Sequence, residues 1–158
     1  ATGRDRTSSS CLGTLNGLQH LLDDGRSELY NIYGITNLPA PELKILNRSW
    51  NTPPLLAEMT GGESSGYDKR QRAYIITKAS DDISFKINGS GENPLLNPCF
   101  VIKNWGTKPI AYLKINDEKI VSGKNFRQGI IRDTDGTRTM IISINHKSVE
   151  HVIYKISE

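Results

Sequence analysis

The chain has 158 residues, 20 Lys+Arg against 17 Asp+Glu for a net charge of +3, and 36% hydrophobic residues with 14 glycines and 7 prolines. That length suits about one domain with a single core, and the Gly and Pro content suits a turn-rich β protein better than a helical one. No apolar run approaches the roughly 18 residues of a membrane span, and the basic excess is too mild and too scattered for a committed nucleic-acid binder.

Residues 1 to about 10, ATGRDRTSSS, are small and polar and carry no apolar segment of the kind a secretory signal needs. A secreted parent would be represented here by a mature or excised piece. Leu15, Leu18, Leu21 and Leu22 recur at helical spacing and predict a short helix ending near Asp24-Gly25. Glu28 to Ile35 reads as extended. Residues 1–38 are therefore expected to be an irregular lead and wrapping segment, and residues 39–158 the folded domain.

Glu42 to Leu46 predicts a short strand, and Asn51-Thr52-Pro53-Pro54 breaks the chain after it. Gly61 to Gly66 reads as a flexible loop. Beyond it the β signal becomes regular, with strands expected over Arg72–Lys78, over the alternating Ile83–Ile87 and over Cys99–Trp105. Asn116-Asp117 predicts a tight hairpin between Tyr112–Ile115 and Lys119–Val121. Asp133-Thr134-Asp135-Gly136 predicts another between Phe126–Arg132 and Arg138–Asn145, and His151–Ile156 closes the series. Eight or nine short strands at intervals of roughly 8–12 residues predict an all-β antiparallel sandwich, jelly-roll-like, with a closed barrel as the alternative.

The stretch Asn97-Pro98-Cys99-Phe100-Val101-Ile102-Lys103-Asn104-Trp105-Gly106, with Leu113-Lys114-Ile115-Asn116 and Phe126-Arg127-Gln128-Gly129, resembles the C-terminal β-sandwich module of secreted bacterial polysaccharide-degrading proteins, lyase-like ones included. The resemblance covers about the last 90 residues. It implies an extracellular or periplasmic accessory module, joined in its parent chain to a catalytic domain and directed to a polysaccharide, neutral or acidic. It carries over no ligand contacts residue by residue.

Candidate ligand residues come from side-chain chemistry. An exposed Trp105 would offer a stacking face for a sugar ring, with Lys103 and Asn104 beside it as donors to hydroxyls or a uronate; a buried Trp105 would instead anchor the core. Trp50, next to Arg48 and Asn51 in a Pro-rich loop, poses the same alternative. Lys114, Lys124, Arg127, Arg132 and Arg138 come from neighbouring strands or turns, of which only some can share a face. Arg127 and Arg138, on hairpin partners, are expected to lie close enough to read an acidic sugar together, or else to sit on a solvated face.

No catalytic motif appears. No Gly-x-Ser-x-Gly elbow supports a serine hydrolase, no carboxylate pair can be nominated for glycoside hydrolysis, and nothing groups Tyr67, Tyr74, Tyr112 and His146 as a lyase would require. The expectation is a noncatalytic module, with a purely structural sandwich and a small lyase as alternatives. Asp133 to Thr137 has oxygens enough for a lone structural Ca²⁺, but lacks the remaining positions of an EF-hand loop. His20, His146 and His151 form no ligand spacing. Cys11 and Cys99 form either one disulfide or two separate thiols.

Overall fold

Alternation of apolar and polar residues gives most of this chain one face to bury, and pairing two such faces makes the fold. The computed structural model describes residues 40–110 and 112–158. The expectations placed on Cys11, His20, the leucine-spaced helix and the extended segment 28–35 lie outside the described residues.

The first element, α1 (Ala40–Asn51), corrects the strand expected over Glu42–Leu46. Pro41 sits in the first turn, where its missing N–H costs nothing. Glu42 near the start and Arg48 near the end complement the helix dipole. Ser49 Oγ donates to the Leu46 carbonyl at 2.6 Å and Asn51 Nδ2 to Asn47 Oδ1 at 2.8 Å, and Pro53-Pro54 prevent continuation. The helix belongs to one unit of the chain, ending at Asn51, and the strands to another, Thr52–Glu158.

That second unit is an all-β sandwich. Its strands are β1 (Leu55–Thr60), β2 (Gly62–Asp68), β3 (Ala73–Lys78), β4 (Asp82–Asn88), β5 (Leu95–Leu96), β6 (Cys99–Lys103), β7 (Tyr112–Ile115), β8 (Glu118–Ile120), β9 (Phe126–Arg132), β10 (Arg138–Ile144), β11 (Lys147–Ser148) and β12 (His151–Ser157). One five-stranded sheet runs β1-β4-β12-β7-β8 and the other β2-β3-β6-β10-β9, with β5 and β11 as a small separate pair. Neighbours are antiparallel except β3 and β6, which run parallel. The segment expected as a loop over Gly61–Gly66 is mostly β2, held by its pairing with β3 across a bulge at Ser64/Gly66.

Two tight features let the chain turn. Gly61, at φ 77°, is the corner where the chain leaves the first sheet for the second, and its carbonyl accepts from the amides of Ala79 and Ser80 at the neighbouring corner. Asn116 and Asp117, at φ 48° and 68°, make the primed turn that matches strand twist.

The core lies between the sheets. Phe85 and Tyr154 from the first sheet meet Phe100 from the second, with ring centroids 5.0 to 5.6 Å apart, and Tyr74 adds a fourth ring against Phe100 at 5.7 Å. Ile76, Ile83, Ile87, Ile102, Leu113, Met140 and Ile142 fill the space around them. Both buried phenols have partners: Tyr74 donates to the Pro54 carbonyl at 2.7 Å, and Tyr154 Oη lies 2.9 Å from His146 Nδ1. Among the described residues no buried side-chain polar atom lacks a partner, as a low-dielectric interior requires.

Candidate functional site

A cleft lies at the open end of the β9–β10 hairpin. Phe126 and Ile144 pair across the hairpin there, and both are buried, so they form an apolar base. Three other pieces of chain close around them. The amide of Asn145 donates to the Asn125 carbonyl at 2.8 Å, that of Ile144 to the Pro98 carbonyl at 3.0 Å, and that of Asn97 to the His146 carbonyl at 2.7 Å. The approach to β9 is tightened by a bond from the Gly123 amide to the Phe126 carbonyl at 2.8 Å, with Gly123 at φ 105° where a Cβ would be strained.

The result is a cleft of about 280 Å³ whose rim is Asn97, Lys124, Asn125, Arg127, Ser143 and Asn145. All six rim residues are exposed. Among the described residues, none bonds the side-chain amides of Asn97, Asn125 or Asn145, and none forms an ion pair with Lys124 or Arg127. The rim therefore offers two cations and three amides, each amide able both to donate and to accept. No His, Asp or Glu stands among the described residues lining it. Such a set can hold hydroxyls and a carboxylate or sulfate; it supplies no acid–base pair.

Lys124 and Arg127 are the residues of the expected basic set that stand in this cleft. Arg138 does not join them. The hairpin closes Arg132 on Arg138 and Arg127 on Ser143, so the two arginines sit at opposite ends of β10, roughly 17 Å apart at about 3.4 Å per residue. Arg138 faces Arg132 instead.

Trp105 is a core residue, 4% exposed, which corrects its reading as a stacking platform. Its indole N–H donates to the Lys108 carbonyl at 2.8 Å, and Lys78 Nζ stands 4.7 Å from the ring centroid. Lys78 in turn pairs with the carboxylates of Glu158 and Asp81, and its hydrogen bond holds the Glu158 carboxyl below the usual carboxylate range. The ring is covered from several sides. Lys103 and Asn104 remain exposed at the end of β6, with Asn104 at φ 56°, but no accessible aromatic face accompanies them among the described residues. Trp50 lies in the last turn of α1 rather than in a loop, and is half-buried.

The other candidates are engaged locally. The Asp133 and Asp135 carboxylates accept from the hydroxyls of Thr139 at 2.7 Å and Thr137 at 2.6 Å, and Asp135 also from the Thr137 amide at 2.9 Å, which ties the turn together. Among the described residues no group of three His, Cys, Asp or Glu could hold a metal ion. His146 is half-buried against Tyr154, and burial lowers its pKa. Tyr67 packs edge-to-face on Tyr74, and burial pushes its hydroxyl up to about 12. Cys99 is a free, half-buried thiol raised by the same effect.

Sequence reasoning misses the rim asparagines because each looks like an ordinary turn residue. The available signal is positional: Asn97, Asn125 and Asn145 each flank the end of an apolar strand run. Comparison with protein-family models, with curated proteins and with solved structures finds no match to this chain.

Proposed function

We propose that this chain is a noncatalytic carbohydrate-binding module that holds a glycan in the Arg127 cleft, and that it serves a polysaccharide-degrading parent protein acting outside the cell. The observation that carries this reading is the rim itself, with two cations and three amides over an apolar base, none of them paired among the described residues. Amides are matched to sugar hydroxyls, and the guanidinium fork of Arg127 to a uronate carboxylate or a sulfate. A cleft of about 280 Å³ lies at the small end of ligand sites, which begin near 300 Å³, and suits a single sugar unit of a chain. Binding of this polar kind without a stacking aromatic is modest in affinity and weakened by salt. Its use is local concentration: a tethered catalytic domain meets its polymer more often.

Titration calorimetry with free glucuronate and glucose tests this. Glucuronate is expected to bind, with affinity falling about tenfold in the Lys124→Ala/Arg127→Ala double variant, or about 1.4 kcal/mol. Equal binding by wild type and double variant refutes the cleft.

A second reading has its own support. The outward face of the second sheet carries the row Gly66–Ile75–Val101–Ile141–Gly129, in register across all five strands and without a polar side chain. A single apolar row, flanked on the same face by Lys103, Ser143 and Arg127, would give a structural sandwich a narrow strip on which to pack a neighbouring domain.

A further inference from the structure

The outward face of the first sheet carries a polar row instead. Ile83, Phe85, Ile87, Leu113, Ile115, Val152, Tyr154 and Ile156 point into the core, so the residues between them point away. Register places one outward residue from each of the five strands on a single line: Thr60 opposite Ser84, Ser84 opposite Lys155, Lys155 opposite Lys114, and Lys114 opposite Lys119. Strands lie about 4.8 Å apart, so this line crosses the sheet over roughly 19 Å. It begins with two hydroxyls and ends with three ammonium groups.

Like charges directly opposite one another destabilise a sheet, and here three lysines do so in succession. Neutralisation within the protein is partial. Asp117 pairs with Lys155 at 2.6 Å, and Glu58 pairs with Lys86, in the adjoining row, at 3.0 Å. Among the described residues no carboxylate pairs with Lys114 or Lys119. Lys114 Nζ lies 5.5 Å from the centroid of the Tyr112 ring on the same face.

We infer that this row is a second binding track, for a linear polysaccharide carrying a repeated carboxylate or sulfate, laid across the strands. Lysines on three adjacent strands, two of them without a paired carboxylate among the described residues, complement a repeating anion, and the Thr60 and Ser84 hydroxyls extend the same line to sugar hydroxyls. Nucleic acid fits less well. Tyr112, the aromatic beside the row, already has Lys114 over it and leaves no open stacking platform for bases, and the chain's net charge is only +3. The track uses none of the Arg127 cleft residues and stands without that site.

Affinity electrophoresis of the full chain through gels containing polygalacturonate, chondroitin sulfate, uncharged dextran or single-stranded DNA tests it. Both anionic glycans are expected to retard the protein at low salt and to release it at high salt, with dextran inert. Lys114→Gln/Lys119→Gln should weaken retardation at least about tenfold, leave free glucuronate bound in the cleft, and melt no lower than wild type because the repulsion between these register partners is gone. Lys119→Gln alone, on the exposed edge strand β8, should weaken it about threefold and covers the case in which the double variant does not fold. Unchanged retardation in folded variants overturns the track and leaves the cleft standing. Tighter retention by DNA than by either glycan assigns the row to nucleic acid and overturns it too. Loss of glucuronate binding in Lys124→Ala/Arg127→Ala, with polymer retardation intact, supports two separate sites.

Discussion

Replacing Trp105 separates a structural tryptophan from a sugar-binding one. The side chain is 4% exposed, so truncation to Ala removes a packed indole from the core; such changes cost about 3–5 kcal/mol. The indole N–H bond to the Lys108 carbonyl adds about 1 kcal/mol at most, because Lys108 is exposed and water can replace the donor. The contact with Lys78 adds on the order of 1 kcal/mol, since its side chain is only 7% exposed yet retains Glu158. Trp105→Ala should therefore destabilise by about 4–7 kcal/mol, a large part of the 5–15 kcal/mol of an ordinary domain. Trp105→Phe keeps a ring in place and should cost about 1–2 kcal/mol. Urea denaturation followed by circular dichroism measures both without relying on tryptophan emission, to which Trp50 also contributes. A Trp105→Ala protein within about 1 kcal/mol of wild type that no longer binds glycan would refute the burial argument and restore the stacking platform.

His146→Ala leaves the fully buried Tyr154 hydroxyl without its partner and should cost about 1–3 kcal/mol, whereas Tyr154→Phe removes the oxygen as well and should cost less; equal costs refute the pairing. Burial lowers the His146 pKa below its ordinary value of 6.5, so the unfolded chain takes up the proton first. The histidine's contribution to stability is thus complete above pH 6.5 and is lost as pH falls from there through the folded pKa. A denaturation series over pH should show that slope in wild type and its absence in His146→Ala. Gly61→Ala forces a Cβ to 1.9 Å from the Asp82 carbonyl oxygen at φ 77°; the backbone strain alone is about 1–3 kcal/mol, and a melting temperature equal to wild type would show that this corner is not as tight as described.

Much of the sandwich was legible from local pattern. Asp82–Asn88 and His151–Ser157 alternate with period two, Ala73–Lys78 and Cys99–Lys103 are short apolar runs rich in β-branched and aromatic residues, and the Asn116-Asp117 and Asp133–Gly136 turns mark their own hairpins. The Gly62–Asp68 strand was not legible: GESSGYD has no strand propensity, and its conformation comes from the β3 edge it pairs with. The α1 segment misled because five residues cannot distinguish the two periods, while Pro41, Glu42 and Arg48 held the better signal. The separation of Arg127 from Arg138 was available from the turn, since closing Arg132 on Arg138 places Arg127 against Ser143.

Period-two alternation thus determined, from the sequence by itself, that the chain makes strands and which side chains of each strand share a side. It did not determine which strands lie next to one another. Lys114 and Lys155 are far apart in the chain and meet because β7 pairs with β12; Asn97 and Lys124 share a rim because β6 and β9 both border β10. Trp105 was decided in the same way, by the Lys78 and Lys108 that cover it rather than by the Lys103 and Asn104 that precede it. The physical reason is that side-chain direction is set by neighbouring dihedral angles, whereas adjacency between strands is set by the collapse of the whole core, in which every strand must bury its apolar face at once.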